Sequence, residues 1–93
     1  MIREDEAIKK FQDAIARVDP RLVLDRGAVR YVVEPYPGVE FALRLGEAGA
    51  LLFVSETDLA AADWQDRLIN RFEAAKRYLE SFPQARGHGA HSR

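Results

Sequence analysis

Two histidines, His88 and His91, stand in an H-x-x-H spacing that on a helix would set two imidazoles side by side as metal ligands. They fall in PQARGHGAHSR, a run of small and polar residues with no carboxylate, so residues 83–93 read as a disordered tail and the spacing as incidental. No metal or other cofactor is expected. The rest of the chain holds no histidine and no cysteine, and its serines are Ser55 and Ser81, which leaves a nucleophile without an imidazole base. Acid–base chemistry then falls to carboxylates, lysine and tyrosine. Glu34 and Glu40 flank Pro35-Tyr36-Pro37-Gly38, with Arg30 and Arg44 further along, and carboxylates beside guanidinium groups can be tuned to move protons. The same alternation also makes ordinary cross-strand ion pairs on a solvated sheet face, and that reading is preferred. No catalytic residue is assigned, and the chain is read as non-enzymatic.

Two further features lose their chemistry on inspection. Gly46-Glu47-Ala48-Gly49 lacks the lysine and helix start of a phosphate loop, and Glu47 would repel an anion; it reads as a hairpin turn. Tyr36 and Trp64 are candidate recognition aromatics, but Trp64 opens an apolar helical stripe and belongs to a core.

The elements that position these residues follow from periodicity. Ala7, Ile8, Phe11, Ala14, Ile15 and Val18 fall at three-and-four spacing, which predicts a helix over 4–18, with acids in its first turn and Asp19-Pro20 ending it. Residues 21–24 form a possible short strand before a tight turn at Asp25-Arg26-Gly27. Alternation then predicts strands over 28–34, with Val29, Tyr31 and Val33 on one face, and over 39–45, with Val39, Phe41, Leu43 and Leu45 on that face. Ala50 to Ser55 pairs back, in a register that a one-residue change in the turn would reverse. Ser55, Thr57 and Asp58 are possible N-caps for a last helix, and Asp63 offers a second start. That helix runs to about Phe82 on the stripe Trp64, Leu68, Phe72, Ala75, Leu79 and Phe82. The expected fold is therefore α+β: one domain, 1–82, in which a helix, a three-stranded antiparallel meander and a long C-terminal helix put both helices on one sheet face.

Composition is that of an ordered domain: 93 residues, 47 % hydrophobic and 31 % charged, with a net charge of -1 that exerts no general pull on nucleic acid or anionic lipid. A domain this small buries only about 60 % of its unfolded surface, so each large apolar side chain matters. The start MIREDEAIKKF is amphipathic with an acidic first turn, Glu4-Asp5-Glu6, rather than basic and then apolar, and no apolar run approaches the ~18 residues of a membrane span, so a cytoplasmic location without membrane contact is expected. Eleven arginines against three lysines match the bias of a GC-rich bacterial genome.

The element order resembles that of the double-stranded-RNA-binding domain. That family grips phosphate with lysines opening its second helix, whereas the matching segment here, Glu56-Thr57-Asp58-Leu59-Ala60-Ala61-Ala62-Asp63, is acidic and apolar. The order is also similar to that of some short dimeric nucleoid-associated proteins. Here Arg67, Arg71, Lys76 and Arg77 are offset by Asp63, Asp66, Glu73 and Glu80, so nucleic acid is not the expected partner.

The sheet face turned away from the helices should be polar, yet Val32 and Ala42 interrupt Arg30, Glu34, Glu40 and Arg44, and the run Ala50 to Val54 adds apolar groups in either register. The expected interface is Val32, Ala42, Leu52 and Val54 rimmed by those four charges, with Leu51 and Phe53 replacing the last two in the other register. Burying ~300 Å² there would contribute roughly 7 kcal/mol before the costs of association. The reading is a small interaction or adaptor protein that dimerises through its open sheet face and also offers a surface to another protein. The competing reading is a small-molecule binder or enzyme with a pocket between helices and sheet, using Glu34, Glu40, Arg30 or Arg44. A competing cover for the open face needs no partner: the last helix or residues 21–24 would fold over it.

Overall fold

The structure, a computed structural model, describes residues 3–82. The expected tail 83–93, with His88 and His91, lies outside the described residues. The order is α1 (Glu4–Val18), β1 (Val23–Val32), β2 (Gly38–Leu45), β3 (Ala48–Ser55), α2 (Glu56–Ala60) and α3 (Trp64–Glu80). The sheet is antiparallel with β2 in the middle, and the helices pack on it, giving the expected α+β fold.

Alternation on β2 decides where the core lies. Val39, Phe41, Leu43 and Leu45 are all buried, and Phe41 stacks on Phe11 of α1 with ring centroids 4.1 Å apart. Its other neighbour is Phe72 of α3 at 5.7 Å, edge to face. One β2 side chain thus touches both long helices, which places them on the same side of the sheet. The three rings are fully buried and fill the space between helices and strands.

β1 departs from expectation. Asp25-Arg26-Gly27 does hold turn chemistry, since Asp25 Oδ1 accepts the Gly27 N–H at 3.1 Å. The chain nevertheless does not reverse: residues 23–25 and 30–32 both pair with β2, and the register shifts between Asp25 and Arg30. The short first strand and the second strand are therefore one bulged strand, in which Leu24 and Val29 are buried. Val33, expected in the core, lies past the end of β1 and is 60 % exposed, because the Pro35–Pro37 loop ends the pairing first.

The β2–β3 turn has two residues, Gly46 and Glu47, rather than four. Gly46 takes the positive φ of 61° that the first position of such a turn demands. The last helix is also divided. Ser55 Oγ accepts the Asp58 N–H at 3.1 Å and caps α2, whereas α3 starts after Asp63. Arg67 joins the two pieces, donating to Asp58 at 2.7 Å and to Asp63 at 2.8 Å.

Two polar nodes fasten the helices. Lys10 Nζ of α1 donates to the Leu59 carbonyl at 2.6 Å and lies 4.5 Å from the Trp64 ring centroid, and the half-buried indole packs against the margin of the core. Asp19, buried after α1, receives the Arg21 backbone N–H at 2.9 Å and its guanidinium at 2.7 Å, with Lys76 Nζ of α3 at 3.3 Å. Chiefly through the Arg21 side chain, and despite burial, the carboxyl of Asp19 is held well below the usual aspartate range.

Candidate interaction surface

Strand register assigns each outward residue to a row. Across β1, β2 and β3 the rows are Val23–Arg44–Gly49, Asp25–Ala42–Leu51, Arg30–Glu40–Phe53 and Val32–Gly38–Ser55. The partners of Val39, Phe41 and Leu43 are Val54, Leu52 and Ala50, which therefore face the helices.

This settles the orientation left open by the sequence. Of the expected interface residues, Val32, Ala42, Arg30, Glu40 and Arg44 stand on the outward face. Leu52 and Val54 do not: Val54 is 1 % exposed and Leu52 packs against the core. Their outward places belong to Leu51 and Phe53. Physically, a two-residue turn pairs Leu45 with Ala48, so Gly49 is already a strand residue and the faces follow from there. Glu34 lies in the loop and does not meet Glu40. Instead Arg30 donates to Glu40 Oε1 through Nε at 3.1 Å and Nη2 at 2.8 Å, a cross-strand pair on the solvent side.

Phe53 lies across the sheet rather than standing up from it. A Cβ on Gly38 would come within 2.5 Å of the Phe53 ring and 2.6 Å of the Val54 carbonyl oxygen, so the glycine makes room for the ring. Leu51, next but one along the strand, is 68 % exposed and forms a ridge between two hollows. On its face side, Gly27, Ala28, Arg30 and Glu40 line a depression of about 330 Å³. On its edge side, Ala50, Leu52, Arg71, Ala74 and Tyr78 line a groove of about 590 Å³ between β3 and α3. Tyr78, also more than half exposed, was not singled out by periodicity because it lies off the buried stripe of α3.

The two sheet edges differ. The β1 edge is bulged, and the outward Tyr31 N–H is taken by Glu4 Oε2 of α1 at 3.1 Å. β3 pairs with β2 without a register shift and carries no charge and no proline. The meander order already puts β3 at an edge; that signal was present in the sequence.

Neither α3 nor the residues leading into β1 fold over the outward face. Arg30, Glu40 and Arg44 stand on the side of the sheet opposite the helices, so they do not line a pocket between the two layers. No group of three or more acidic or histidine side chains able to hold a metal occurs among the described residues, nor does a helix long and apolar enough to cross a membrane. Comparison of the chain with family models, curated proteins and solved structures found no match.

Proposed function

We propose that the chain is a small non-enzymatic protein–protein interaction domain that acts as a homodimer through the outward side of its sheet, with the contact centred on Leu51. The observation that carries this reading is Leu51 itself, a large aliphatic side chain 68 % exposed in the middle of a regular strand. Half-buried Phe53 and Ala42 adjoin it, so the apolar surface is contiguous rather than scattered. The Arg30–Glu40 pair and Arg44 supply a polar rim. A second copy is the simplest partner, since two-fold dimers are the commonest assemblies and the chain is near neutral overall.

Light scattering coupled to size exclusion tests it: the wild-type chain should run as a dimer and Leu51→Asp as a monomer. Because Leu51 is exposed, the variant should keep its helical circular dichroism. A monomeric wild type, or a dimer that survives Leu51→Asp, would count against the reading.

A further inference from the structure

We infer that two copies join edge to edge through β3, antiparallel about a two-fold axis at Leu51, so that two three-stranded sheets become one continuous six-stranded sheet. This rests on the homodimer reading above and specifies how the second copy docks: beside β3 rather than stacked over the face, so that the two Leu51 side chains meet on the outward side of the joined sheet.

The hydrogen-bonding pattern of the hairpin supplies the first argument. Leu45 and Ala48 flank a two-residue turn and so form a hydrogen-bonded pair, and strict alternation makes Leu43–Ala50, Phe41–Leu52 and Val39–Val54 the others. The N–H and C=O groups of Gly49, Leu51 and Phe53 therefore point away from β2. The Arg71 guanidinium agrees with this, since it donates to the outward Phe53 carbonyl. The other outward groups of these three residues have no partner among the described residues. A regular, uncharged edge of this kind is what natural sheets avoid leaving open.

The occupant follows from self-complementarity. An axis at Leu51 sets Leu51 opposite its own copy and Gly49 opposite the partner copy's residue 53. Each such pair exchanges two bonds, so the three pairs give about six. The Phe53 carbonyl keeps a second lone pair for this while Arg71 holds the first. The Phe53 ring, turned inward over Gly38, leaves the backbone facing Gly49 unobstructed. On the helix side, Ala74 and Tyr78 of both α3 helices would close the groove beside β3. The opposite edge offers no such fit, because the bulge and Glu4 obstruct it.

The test is amide hydrogen exchange followed by NMR on the full chain across the concentration range in which its mass doubles. The Gly49, Leu51 and Phe53 amides should slow at least tenfold on dimerisation, with no comparable change at Glu40 or Ala42, whose partners are intramolecular. A Leu51→Asp monomer should exchange these three amides rapidly at every concentration. If a dimer sensitive to Leu51→Asp forms and the three amides stay unprotected, edge pairing is wrong while the homodimer reading stands. A chain monomeric at all concentrations overturns both.

Discussion

Single residues show how little slack this domain has. Gly38 sits under the Phe53 ring and against the Val54 carbonyl, and backbone cannot be displaced as cheaply as a flexible side chain. Gly38→Ala is therefore expected to destabilise by about 1–3 kcal/mol, the usual range for overpacking, measured by urea unfolding. Asp19 gives the pH dependence. Its carboxyl is depressed in the folded chain by Arg21, so its contribution is complete above the ordinary aspartate value of 3.8 and is lost as the pH falls below it. Melting temperature should therefore fall through the acid range, and Asp19→Asn should lower stability at pH 7 while flattening that part of the profile. At this scale the sequence was only partly legible. The alternation of Arg30, Glu40 and Arg44 with apolar residues placed them on the outward face as cross-strand ion-pairing groups, but which arginine meets Glu40 was not legible. That choice depends on the β1–β2 register, which no local spacing contains.

At the scale of elements, α1 and β2 were readable because their signals are local: a six-residue apolar stripe ended by Asp19-Pro20, and strict alternation over Val39–Leu45. β1 was not, because Asp25–Gly27 has turn chemistry but its flanks pair with the same neighbour, a long-range fact. The β3 register was ambiguous for a related reason: glycines at 46 and 49 suit a turn of two residues or of four. The division of α2 from α3 rests on caps that the sequence showed only as alternatives. Ser55 is the working cap of α2, so Ser55→Ala should cost about 1 kcal/mol in urea unfolding. Thr57→Ala, which removes no observed cap bond, should cost less.

For the whole molecule, the expected fold class and the one-sided placement of the helices followed from element order and amphipathicity. The surface centred on Leu51 did not, since it required the register. A chain this small has a thin margin of stability, and an association that buries its exposed leucine would add to that margin by mass action. The melting temperature of the wild type is accordingly expected to rise with protein concentration, and that of Leu51→Asp to stay constant, in calorimetry over a hundredfold dilution series. The Lys10–Trp64 contact has a separate consequence. The chain has one tryptophan, and it rests under an ammonium group contributed by another helix. Its emission is thus a built-in optical gauge of the seam between α1 and α3, and it reads that seam from the side of the molecule opposite the outward sheet face.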